Sequence, residues 1–151
     1  MAVKIHASAC LMSALLLLTV PLPWLFSAFF AACFHELCHC IAVYALGSQV
    51  FALEIRFHGA SMEIQPLSAD KELICALAGP AGSLLLLLTV HRFPRLALCA
   101  AVQGTFNLLP FYPLDGGRAL RCVFRLLSEI FLAKRQLSQY NSATNDEEVI
   151  L

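Results

Sequence analysis

Three ionisable residues lie where charge is least tolerated, and they constrain this chain more than any other feature. The stretch Phe34-His35-Glu36-Leu37-Cys38-His39 follows an uncharged run, Pro23 to Phe34, and precedes another, Cys40 to Leu46. In a helix each residue advances by about 100°, so His35 and His39 leave the same face and can bind one metal ion. Glu36 stands one step round, near enough to serve a water at the metal without being a ligand. Ionisable groups at membrane depth are costly and point to function. The plain alternative is a pair of buried, hydrogen-bonded histidines with a stray Glu, and it leaves three polar groups needing partners in an apolar layer.

The apolar setting extends through the chain. Of its 151 residues 60% are hydrophobic and 13% charged, with a mean hydropathy of +0.76. A soluble domain is nearer half apolar and a quarter charged, so the composition is that of an integral membrane protein. The length suits one compact unit. Zero net charge gives no expectation of a nucleic-acid partner. The seven cysteines (10, 33, 38, 40, 75, 99 and 122) are odd in number, form no Cys-x-x-Cys and lie mostly in apolar runs. They read as small helix-packing residues rather than a disulfide framework. For Cys38, inside the motif, packing competes with a thiolate role at the metal.

Four apolar runs can be followed in order. Ile5 to Val20, rich in Leu and ended by Pro21-Leu22-Pro23, lacks a small-x-small cleavage site before a polar chain, so it reads as a first short transmembrane helix rather than a signal peptide. The second helix is expected from Trp24 to Leu46, ended at Gly47-Ser48. From Gln49 to Gln65 the period changes: Phe51, Leu53, Ile55 and Phe57 alternate with more polar neighbours, and the alternation returns at Met62, which predicts a β-hairpin. Its free edge could pair with an extended peptide, or the hairpin could be a plain solvated loop; His58 reads as a turn residue. Ser68 and Asp70 read as caps for a third helix from Lys71 to Val90. Within it Ala78-Gly79-Pro80-Ala81-Gly82-Ser83 sets small residues four apart, a stripe that admits another helix closely, with a kink at Pro80.

After the polar turn His91–Arg95 the fourth run starts at Leu96 and is broken by Pro110, Pro113, Gly116 and Gly117. A broken membrane helix is tolerated where it lines a site. Asp115 lies in that break and is the sole carboxylate between Glu72 and Glu129. Two His and one Asp would leave a fourth zinc position open; a turn-forming Asp-Gly-Gly is the rival reading. Ala119 to Leu132 is expected to be helical, with Arg118, Arg121 and Arg125 forming a basic stripe suited to an anionic membrane surface. The polar residues 133–151 are expected to form a disordered tail. The predicted architecture is thus an all-α polytopic membrane protein of about four transmembrane helices, with a membrane-associated β-hairpin and a broken fourth helix. Its core spans residues 1–132. With Lys4 cytosolic, eight Lys/Arg fall on the cytosolic side against Arg92 and Arg95 outside, and both termini are cytosolic.

Two motifs then converge. His35-Glu36-x-x-His39 and Asn107-x-x-Pro110-x-x-Pro113-x-Asp115-Gly116-Gly117 together resemble the site-2 protease family of intramembrane zinc metalloproteases. The second motif, continued to Arg118, is similar to the bacterial branch containing the stage-four sporulation processing protease. So are Phe57-His58-Gly59 with Glu63, and Ala78-Gly79-Pro80. The resemblance covers roughly residues 10 to 130. It implies one zinc held by His35, His39 and Asp115, with Glu36 as general base. Asn107, near the substrate backbone, is joined by Pro110, Pro113 and Gly116 as the substrate-binding stretch. It further implies a bacterial cell-membrane enzyme that cuts a membrane-associated protein within or near the bilayer, with room for a membrane-protein regulator. Cys38 stands where the family often has Gly, and Ser83 near a position often Asn or His. The sporulation branch carries a cytosolic nucleotide-binding domain for which 133–151 is too short. Two rivals use the same ligands: a membrane metal carrier, and a silent homologue that binds membrane segments without cutting.

Overall fold

The computed structural model describes residues 2–56 and 59–148. Phe57 and His58, and with them the turn expected there, lie outside the described residues. The elements are β1 (Ala2–Ile5), α1 (Ala7–Thr19), α2 (Leu22–Ala45), β2 (Val50–Arg56), β3 (Gly59–Ile64), α3 (Ala69–Leu85, prolonged by a 3₁₀ turn Leu86–Thr89), α4 (Pro94–Asn107) and α5 (Asp115–Glu148).

The chain is mostly helical with one small sheet. Helix α2 starts at the expected prolines, which suit a first turn because the N–H they lack has no partner there. It ends where Gly47 adopts φ +76°, a backbone state that L side chains rarely take. Its buried residues are Ala31, His35, His39 and Val43, a four-residue repeat along one face. That face meets α3, whose buried side is built from Cys75, Ala76, Gly79, Pro80, Gly82 and Ser83. The expected small-residue stripe is therefore real, and the helix it admits is α2: a Cβ on Gly82 would strike the Cys38 side chain. Cys38 packs against that gap rather than joining the metal-ligating cluster. Helix α4 closes on α2 and α3, and α5 lies against α3.

Among the described residues two helices, Leu22–Ala45 and Ala69–Thr89 with its 3₁₀ extension, are long and apolar enough to cross a membrane. The structure thus differs from four full spans. Helices α1 and α4 have 13 and 14 residues, about 20 Å each against a hydrocarbon core of about 30 Å. Many large apolar side chains remain exposed, Leu18 at 86% and Leu88 at 81% among them, a surface that suits lipid rather than water.

The hairpin forms as expected: β2 and β3 pair antiparallel with Leu53 opposite Met62. Unexpectedly, residues 2–5, at the edge of the first apolar run, form β1 and pair parallel with β2, Lys4 opposite Glu54. The strand order β1-β2-β3 makes β2 central, so the sheet's free edges belong to β1 and β3. A second difference lies at 133–148, where α5 continues as helix in place of the expected disorder. Residues 133–148 contain neither Gly nor Pro, and extending a formed helix avoids the nucleation step that makes short isolated helices unstable.

Candidate metal centre

His35 and His39 lie one turn apart on α2, and Asp115 is the first residue of α5. They meet because α3 is thin enough at Gly79 to let them: a Cβ there would overlap Nε2 of both histidines. Asp115 is brought in by the break at 108–114. A Cβ on Gly116 would overlap the Leu108 carbonyl and one on Gly117 the Phe111 backbone, so these glycines let the first turn of α5 press against the loop. The Asp115 carboxylate also lies at the positive end of α5, which stabilises its charge.

All three ligand candidates are buried, with 1%, 7% and 8% of their surface exposed for His35, His39 and Asp115. Nε2 of His35 and Nε2 of His39 each lie 3.1 Å from the same oxygen, Asp115 Oδ2, and 3.2 Å from one another. The opposite side of each ring is fixed from α3. His39 Nδ1–H donates to the Cys75 carbonyl at 2.7 Å, which puts the proton on Nδ1 and leaves Nε2 with a lone pair. His35 Nδ1 meets Ser83 Oγ at 2.9 Å, and Ser83 is wholly buried. With Nδ1–H donating there too, both Nε2 lone pairs and the carboxylate face one another, a donor set that suits a cation. Ligand atoms of a tetrahedral zinc lie about 3.3 Å apart, given bonds of about 2.0–2.1 Å. The residues therefore fit a metal ion, with both imidazoles oriented from their far nitrogens as metal-binding histidines are.

Half-buried Glu36 follows His35 directly on α2, one step round the helix from the face that carries the two histidines. Asn107, at the end of α4, brings Nδ2 to 3.5 Å from His35 Nε2, so it stands at the rim. Pro110 and Pro113 are exposed on the 108–114 loop, and the Tyr112–Pro113 peptide is cis. Gly116 is accounted for by the backbone approach it allows.

Three contributors are not evident in the sequence. Ser83 and the Cys75 carbonyl orient the two rings, and Gly79 gives them room. Gly79 and Ser83 carry a packing signal, but no pattern announces a serine as a histidine partner. Two arginines of the basic stripe also make contacts within the chain. Arg125 pairs with Glu72 at 3.3 Å, and the Arg121 guanidinium lies 4.5 Å from the centre of the Tyr112 ring.

No protein-family model matches the chain, and no curated protein sequence matches it. Among solved structures it is similar to the Site-2 Protease from Methanocaldococcus jannaschii, with a TM-score of 0.66 and 23% identity. The likeness covers 81% of this chain and 66% of that one, so the chain spans just under two thirds of that protein's length. At this identity the likeness is one of architecture, and the fold is that of a site-2 protease.

Proposed function

We propose that this chain is a zinc-dependent intramembrane endopeptidase that hydrolyses a peptide bond of a membrane-associated protein. The observation that carries the reading is the buried triangle of His35, His39 and Asp115 with Glu36 beside it on α2. The site-2 protease fold supports it. Zinc, when bound, supplies Lewis acidity to a scissile carbonyl and to an attacking water.

Each residue then has a task. His35 and His39 present Nε2, held in place by Ser83 Oγ and the Cys75 carbonyl. Glu36 takes a proton from the attacking water and delivers it to the leaving amine, which is general base and then general acid work. Asn107 at the rim is placed to hydrogen-bond substrate backbone, and the 108–114 loop with its exposed prolines forms the approach. The apolar walls strengthen each of these electrostatic interactions. An extended substrate would add to a free sheet edge, β1 or β3.

The resemblance carried by Asn107 to Arg118 supports placing the enzyme in a bacterial cell membrane, near the sporulation branch, with a membrane protein as regulator, and the distribution of Lys and Arg supports cytosolic termini.

Glu36→Gln is the decisive variant. It keeps the shape and a hydrogen bond but cannot accept a proton. Zinc content should stay at about one per chain while cleavage of a membrane-anchored reporter falls by roughly a hundredfold or more. A metal carrier would keep its transport with the same change. Undiminished cleavage by Glu36→Gln would refute the hydrolase reading.

A further inference from the structure

We infer that the groove between the start of α2 and the 92–96 corner binds an anionic phospholipid, its phosphate on Arg92 and Arg95 and an acyl chain along Phe26 and Phe30. The groove, of about 570 Å³, is lined by Phe26, Phe30, Arg92, Phe93, Arg95 and Leu96 among others. It stands apart from the metal centre and depends only on the chain being a membrane protein.

Three observations converge on one kind of ligand. The first is charge. No Asp or Glu occurs in residues 1–35 or 73–114, which together contain every residue lining the groove. Among the described residues neither guanidinium is in an ion pair.

The second is the helix that begins at this corner. α4 starts at Pro94 with no acidic residue in its first turn and no side-chain cap from Phe93. Its positive end adds to the same field.

The third is the wall. Phe26, Phe30 and Phe93 are 69%, 59% and 55% exposed, and α2 is one of the two helices able to cross a membrane. Phe26 and Phe30 lie one and two turns in from its start at Leu22. The corner after Thr89 follows the second such helix. A ligand fitting this place has a phosphate at the boundary and hydrocarbon one to two turns deeper. Inorganic phosphate would satisfy the arginines and leave the aromatic wall bare. Arginine reaches such boundaries with its stem along apolar surface.

The test uses the purified full chain in detergent, titrated with phosphatidylglycerol, phosphatidylcholine or inorganic phosphate and followed by native mass spectrometry. Phosphatidylglycerol should add as one retained lipid, and Arg92→Gln with Arg95→Gln should weaken it about thirtyfold, from roughly fivefold per lost cation. Arg92→Lys with Arg95→Lys should retain most of the binding, and Phe30→Ser should weaken phosphatidylglycerol without reversing the charge preference. These side chains are exposed, so an unchanged melting temperature is expected for each variant. Equal retention of phosphatidylcholine, no effect of the double Gln variant, or equal affinity for inorganic phosphate would each overturn the assignment.

Discussion

At the residue scale, the centre depends on what α3 omits as much as on what α2 supplies. Alanine is a better helix former than glycine by about 1 kcal/mol, so Gly79→Ala should favour α3 taken alone. Its methyl would nevertheless occupy the space of both Nε2 atoms. We expect Gly79→Ala to lose most of its zinc, measured by metal analysis of the purified protein, while the helical circular dichroism is retained. Ser83→Ala makes the complementary test. Removing the Oγ that holds His35 Nδ1 should weaken zinc retention by about ten- to a hundredfold, and a cobalt-loaded sample should show an altered absorption spectrum. An Asp115→Ala chain should lose retention as well; unchanged zinc there would remove Asp115 from the ligand set. The two histidines and Asp115 stand out in the sequence because an ionisable residue in an apolar run costs more than packing alone can return. Ser83 does not stand out, because packing fully accounts for a small residue in a small-residue stripe.

At the element scale, the legible parts are those with an unbroken period. The alternation from Gln49 to Ile64 marks the hairpin, and the prolines and Gly47 frame α2 to within two residues. Strand β1 is not legible because four residues carry no period, and its pairing with β2 is set by tertiary position. The same holds for the far end of α5, where composition argues for disorder and continuity with a formed helix prevails. Placing β2 at the centre alters what a backbone lesion means. Ile55 pairs with Ile5 on one side and Ala60 on the other. Ile55→Pro therefore disturbs both ladders and, through them, the free edges offered to substrate. Among the described residues no ligand candidate comes from the sheet, so reporter cleavage should fall while zinc content is unchanged. Full activity in that variant would leave the sheet without a role in substrate binding. The Glu72–Arg125 contact is a lesser matter. With the side chains 27% and 52% exposed, Arg125→Ala should cost about 1 kcal/mol or less, a shift of a few degrees in melting temperature.

At the scale of the whole molecule, the sheet ties the start of the chain to the segment between α2 and α3. Because β1 lies beside β2, the chain's beginning and the hairpin share one side. Helix α1 therefore has to carry the chain away before α2 brings it back. Reporter fusions at the N-terminus and within the 46–49 loop should report the same compartment, and a fusion at His91 the opposite one. The distribution of Lys and Arg predicts that the shared compartment is the cytosol. The shortness of α1 has a further consequence for the surrounding lipid. With about 20 Å of helix beside the 24 residues of α2, about 36 Å long, the two cannot both match a bilayer of uniform thickness. Were α1 to cross, lipid against its exposed leucines would thin to meet its ends, at a cost of fractions of a kcal/mol per ångström. Shorter acyl chains relieve that mismatch. In vesicles of graded chain length, the folded fraction should peak at a hydrocarbon layer between those two helix lengths and fall on either side, so lipid thickness becomes a control on this protein.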